Sequence, residues 1–168
     1  MTHLNSPSWL ADECKMTVLI ADDYAPLRRI MRDVLESAGS EVIEAENGAV
    51  ALETTARHDF EVILLDLKMP VCDGYEVLRR LDEPRPLVIV LSGFEQMCAE
   101  NVKAEFGSQV FATLRKPVPL ALLLDTVRRA VASNRTRQTV QSCQDYAGGL
   151  VTSPQPLCWG AMAPSASA

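Results

Sequence analysis

Three aspartates, a serine and a lysine stand where short apolar runs stop. The run 17–21 ends at Asp22 and Asp23, 62–65 ends at Asp66, 87–91 ends at Ser92, and 110–115 ends at Lys116. Three carboxylates brought together repel, so they must take up protons or share a cation. A site built only of oxygen ligands and left open favours Mg2+, which keeps several waters and prefers octahedral coordination. A cation beside a carboxylate also neutralises the oxygens of an incoming phosphoryl group. A lysine adds a point charge to those oxygens, and a serine adds a hydrogen bond. The set suits attack by Asp66 on a phosphorus atom, with the product held as an acyl phosphate.

The elements that must bring these residues together follow from periodicity. After the strand 17–21, Leu27, Ile30, Met31, Val34, Leu35 and Ala38 form one helical face. Pro26 suits its first turn and Gly39 its C-terminal cap. A short strand at 41–44, a helix over 47–57 and a wholly apolar strand at 62–65 come next, the last too apolar for an exposed edge. A loop at 66–73 leads to a short helix at 74–81. The stretch 82–86 breaks the chain before the fourth strand at 87–91. A weaker helix at 95–106 closes at Gly107, the fifth strand covers 110–115, and the last helix runs from Pro119 to about 133 with Leu120, Leu123, Leu124, Val127 and Val131 on one face. Five such units imply an α/β fold with a parallel, doubly wound sheet covered on both faces. Function in that architecture gathers at the carboxyl ends of the strands, where Asp22, Asp23, Asp66, Ser92 and Lys116 all lie. A single Asp there would be read as a cap or turn residue, but capping does not require three.

Composition narrows the classes. With 48% hydrophobic residues and a formal charge of −6, the chain can bury a core and lacks the broad basic surface of a nucleic-acid binder. No apolar run approaches the roughly 20 residues of a membrane helix, and residues 1–16 lack a basic start followed by an apolar stretch. A cytoplasmic protein without membrane insertion or direct nucleic-acid contact is expected. The five cysteines include no C-x-x-C pair and the two histidines lie in different segments, which disfavours disulfides and zinc. Residues 1–16 and 134–168 lack periodicity and are expected to be disordered extensions of a body at 17–133, with no room for an output domain. The pairs Arg28-Arg29 and Arg79-Arg80 are expected on solvated helix faces, and Cys72, near the site, as a bystander.

The residues quoted above, within the segments VLIADD (18–23), LLDLKMPVCDGYEVL (64–78), VLSGF (90–94) and LRKPV (114–118), resemble the receiver domain of two-component response regulators, especially stand-alone receivers of the chemotaxis type. The resemblance spans the whole body. It implies a flavodoxin-like (βα)5 fold with strand order 2-1-3-4-5. It implies that Asp66 is the phosphoacceptor and also a metal ligand, that Asp23 binds Mg2+ directly and Asp22 largely through water, and that the backbone carbonyl of Lys68 is a further metal ligand. Ser92 corresponds to the hydroxyl that turns toward the phosphoryl group, and Lys116 to the lysine that pairs with its oxygens, ahead of a cis peptide bond to Pro117. The implied function is a phosphorelay receiver that takes its phosphoryl group from a histidine kinase or histidine phosphotransfer protein and signals by binding a downstream protein. It is not a turnover enzyme, beyond weak self-dephosphorylation.

Some positions depart from that pattern. The family's switch aromatic, three residues before the lysine, is Thr113 here; period-2 alternation puts Phe111 on the same strand face. Lys68 and Phe94, which should border the path of a hydrolytic water, carry no carboxylate or amide to orient it, so slow loss of the phosphoryl group is expected. The 26-residue interval from Asp66 to Ser92 suggests a trimmed third helix. The alternative within the family is a degenerate receiver that binds partners without a phosphorylation switch. A hydrolase with an aspartyl intermediate would carry a second Asp at the position of Lys68. A flavodoxin-like nucleotide or flavin module would carry a Gly- or Ser/Thr-rich turn in place of Asp22-Asp23-Tyr24-Ala25-Pro26.

Overall fold

A computed structural model of the chain describes residues 16–81, 86–93 and 102–148. In chain order its elements are β1 (Thr17–Ala21), α1 (Ala25–Ser37), β2 (Glu41–Ala45), α2 (Gly48–Thr55), β3 (Val62–Asp66), α3 (Gly74–Arg80), β4 (Leu87–Ser92), helical residues 102–106 (α4), a 3-10 turn at Gly107–Gln109, β5 (Val110–Arg115) and α5 (Leu120–Gly148). Most of the expected break at 82–86 and the first part of the helix expected at 95–106 lie outside the described residues. No helix among the described residues is long and apolar enough to cross a membrane.

The five strands pair in parallel in the order β2-β1-β3-β4-β5. This is the flavodoxin-like doubly wound order that the sequence leads one to expect. β3 and β4 are buried at every residue, as strands covered on both faces must be. Alternate side chains feed two layers. Leu19, Ala21, Ile63, Leu65, Val88 and Val90 pack with Ala51, Val77, Leu78 and Val102 of α2, α3 and α4. Val18, Ile20, Val62, Leu64, Ile89 and Leu91 pack with Met31 and Leu35 of α1 and Leu123, Val127 and Val131 of α5. The chain leaves β1 for β2 on one side and returns to β3 on the other. The carboxyl ends of β1 and β3 therefore flank the crevice at this reversal.

Three details differ from the sequence reading. On α1, Met31 and Leu35 are buried but Ile30 is exposed, because it stands about one residue's rotation off the centre of the apolar stripe. On β5, the register shifts against β4: Val110 pairs with Val88, but Ala112 pairs with Ile89 and Thr113 with Val90. This bulge takes up one residue and reverses the alternation. Thr113 shares the face of Val90, while Phe111 packs in the layer of α1 and α5. Phe111 is thus on the opposite face from Thr113 and cannot stand in for an aromatic there.

The third difference is at the end of the body. α5 continues to Gly148 rather than stopping near 133, since residues 134–147 contain no Gly or Pro to halt it. Asn134 is buried, and its Nδ2 donates to the Glu61 carbonyl at 3.0 Å. Arg135 grips the Glu61 carboxylate with two bonds, from Nε at 2.5 Å and from its guanidinium NH2 at 3.2 Å. A boundary at 133 cuts these off. The chain divides into two compact units, 1–136 and 137–168, so the first unit includes both residues. α3 has 7 residues, as short as the spacing suggests.

Candidate functional site

Asp22 follows β1 directly, and every polar group of it is held. Its N–H donates to the Ala45 carbonyl at 3.2 Å, and its Oδ1 accepts from the Tyr24 N–H at 2.9 Å. Its Oδ2 accepts from Lys116 Nζ at 2.7 Å, and its carbonyl accepts from the Arg28 guanidinium at 2.6 Å. Asp22 is fully buried, whereas Asp23 is exposed. Asp66 closes β3 at 8% exposure. Its Oδ1 accepts from the Lys68 N–H at 3.2 Å and its Oδ2 from Lys116 Nζ at 2.6 Å. One ammonium thus bridges two carboxylates on neighbouring strands.

The loop after Asp66 is shaped by glycine. The Gly74 N–H donates to the Leu67 carbonyl at 3.0 Å, and a Cβ at Gly74 would lie 2.4 Å from the Asp66 carbonyl oxygen. No larger residue permits this close return. The Asp73 side chain caps α3 by accepting from the Glu76 N–H. Val71 sits in the same loop with φ +69° and is 87% exposed, a strained backbone for a β-branched residue. Cys72 packs at Gly48, whose N–H donates to the Cys72 carbonyl at 3.1 Å. Burial pushes its thiol pKa up, away from a reactive thiolate, in keeping with a bystander.

Asp22, Asp23 and Asp66 each offer an oxygen, and these lie within 4.8 Å of one another. Three carboxylates and one ammonium leave two negative charges, all on hard oxygen donors. That donor set fits a single Mg2+. Burial works to lower the pKa of Lys116, but its hydrogen bonds to Asp22 and Asp66, and their charges, outweigh it and hold the pKa above the ordinary lysine value. Lys68 is exposed, two residues past Asp66, with its N–H on the Asp66 carboxylate. Ser92 ends β4 at the same rim, and its carbonyl accepts from the Lys116 N–H at 2.7 Å. Its hydroxyl donates to the Gly93 carbonyl at 3.3 Å, so it is bonded within its own loop. The Lys116–Pro117 bond is cis. Phe94 lies outside the described residues.

Arg28 is not on a solvated face. Its side chain is 11% exposed and also donates from Nε to Glu44 Oε2 at 3.1 Å, while Arg32 bonds the other Glu44 oxygen. The sequence signal for this was present but faint: two arginines four apart on α1, and a glutamate on the next strand.

Comparison with known proteins agrees with this architecture. The family model described as response regulator receiver domain matches residues 18–128. A curated relative, protein-glutamate methylesterase/protein-glutamine glutaminase 3 of Hahella chejuensis, is 44% identical over 82 residues, covering 47% of this chain and 24% of the relative. The sensory/regulatory protein RpfC of Xanthomonas campestris pv. campestris is 30% identical over 148 residues, 82% of this chain and 20% of the relative. The chain therefore spans about a quarter or less of the length of these two relatives. Among solved structures, the chemotaxis response regulator CheY4 of Vibrio cholerae superimposes with a TM-score of 0.62 at 29% identity, over 69% of this chain and 98% of that one. With the family match running from β1 into α5, across the strand ends that carry the acidic cluster, the chain belongs to the response regulator receiver domain family of two-component systems.

Proposed function

We propose that this chain is a phosphoacceptor receiver that takes a phosphoryl group on Asp66 from a histidine kinase or histidine phosphotransfer protein and signals by binding a downstream protein. The observation that carries the reading is the placement of Asp66 at the end of a central strand, with Asp22 and Asp23 within 4.8 Å and Lys116 bridging it to Asp22. Asp66 supplies the attacking carboxylate oxygen; the P–O bond to it forms as the bond from phosphorus to the donor breaks. Asp22, Asp23 and Asp66, with the Lys68 carbonyl, would hold Mg2+, which when bound supplies positive charge to the phosphoryl oxygens. Lys116 turns its ammonium from the carboxylates to those oxygens, and Ser92, at the end of the neighbouring strand β4, gives up its bond to the Gly93 carbonyl to offer its hydroxyl. The body that does this is the stretch 17–136, extended past 133 because Asn134 and Arg135 hold Glu61; 1–16 and the rest of the C-terminal stretch are extensions of it. On this reading the protein is cytoplasmic, is not a turnover enzyme, and contacts neither nucleic acid nor membrane directly.

Incubation of the full chain with acetyl phosphate tests this. An acid-stable, base-labile phosphate that forms with Mg2+ and not with EDTA is expected. Absence of any label under both conditions overturns the reading in favour of a partner-binding module without a phosphorylation switch.

A further inference from the structure

We infer that Arg28, held by Glu44, is a positioning residue for the cation site: it sets the direction of Asp23 by clamping the Asp22 carbonyl. The inference rests on the reading of Asp22 and Asp23 as metal ligands. The Asp22 carbonyl and the Asp23 N–H belong to one rigid peptide plane, so fixing the carbonyl fixes where the Asp23 Cα points. The Arg28 bond to that carbonyl is 2.6 Å long, from a side chain only 11% exposed. The Asp22 side chain is already tied to Tyr24 and Lys116, and its N–H to Ala45. The Asp23 side chain is exposed and makes no hydrogen bond or ion pair among the described residues. Its direction therefore depends on the backbone that Arg28 holds.

Glu44 makes the clamp possible. It lies on β2 in register with Ile20, and it accepts from Arg28 and from Arg32 one helical turn on. It fixes the guanidinium plane and offsets a positive charge that would otherwise oppose a divalent cation. A lysine cannot replace this arrangement, because a single ammonium on a flexible stem lacks the rigid fork that reaches Glu44 and the carbonyl at once.

The sign of one measurement separates positioning from plain charge. Arg28 is a cation near a cation site, so through charge alone its removal would tighten Mg2+ binding, and Arg28→Lys would leave it unchanged. Positioning predicts weaker binding in both variants, by about tenfold, as when a partner that orients a metal ligand is lost. The experiment is calorimetric titration of the full chain with MgCl2 for wild type, Arg28→Ala, Arg28→Lys and Glu44→Gln. It is run well below each melting temperature measured without metal, so that lost stability alone does not alter the affinity. Weaker binding in all three variants, not rescued by lysine, is expected. Unchanged or tighter binding in Arg28→Ala or Arg28→Lys, with the wild type binding normally, overturns the inference alone. Failure of the wild type to bind Mg2+ overturns the metal-site reading and the inference with it.

Discussion

At the edge where the strands begin, Glu61 is matched group for group: Arg135 takes its carboxylate, and its carbonyl accepts from Leu87 and from buried Asn134. At the edge where they end, Asp22 and Asp66 share one ammonium, Asp23 adds a third carboxylate without an ion pair among the described residues, and Val71 holds a left-handed backbone in the loop after Asp66. At the first edge the charged residue Glu61 is fully paired, and the buried side-chain atoms described there without a hydrogen bond, Ser40 Oγ before β2 and Gln109 Nε2 before β5, carry no charge. The second keeps two negative charges uncompensated and a strained loop, a condition that folding alone would not favour. On the proposed reading, the difference teaches where this fold keeps its capacity to react: in charge that a cation and a phosphoryl group would complete.

The contrast should break first at Lys116. In Lys116→Met, Asp22 is left fully buried without its counter-charge, and a loss of about 3 kcal/mol is expected in urea unfolding without metal. Mg2+ should then recover more stability than it adds to the wild type. The same bridge has a pH signature. Because its folded pKa is raised above the ordinary value of 10.5, the Lys116 contribution is complete below that pH and is lost as the pH climbs through the folded pKa. Wild-type stability should therefore fall in that alkaline window by more than that of Lys116→Met.

Removing residues 134–168 attacks the other edge. Loss of the Asn134 bond and of the half-exposed Arg135 pair should lower stability by about 1–2 kcal/mol, with the Mg2+ response unchanged. Sequence alone suggests that this truncation is harmless, because nothing beyond 133 repeats an apolar face. A single buried asparagine paired to a backbone carbonyl 73 residues away leaves no periodic trace.

The Mg2+ response itself should be of similar size. At ten times its dissociation constant the ion adds about 1.4 kcal/mol, a rise in Tm of roughly 4 °C, and Asp23→Ala should lose most of it. The smallest effect is expected at Val71. Val71→Asn places a residue tolerant of φ +69° in the loop and should stabilise by about 0.5–1 kcal/mol, read as a shift of the urea midpoint.

How much of this could be read beforehand follows the same division. β3 and β4 were legible because residues buried on both faces must be apolar throughout, and the three aspartates and Lys116 because they sit directly where the runs of β1, β3 and β5 stop. Arg28 was hidden because its role depends on Glu44, 16 residues later on another element. The face of Phe111 was misread because a bulge changes alternation without any marker in local composition. Periodicity reports burial; it is silent on pairings between polar groups far apart in the chain.

The central claim is that the uncompensated edge exists to place a phosphoryl group on Asp66. The most direct test compares the wild type with Asp66→Asn, both treated with acetyl phosphate and Mg2+ and weighed as intact proteins. The wild type should gain the mass of one phosphoryl group, while the variant, nearly identical in shape and still folded by circular dichroism, should gain none. Equal labelling of a folded Asp66→Asn protein would contradict the account, because the acceptor would then lie elsewhere.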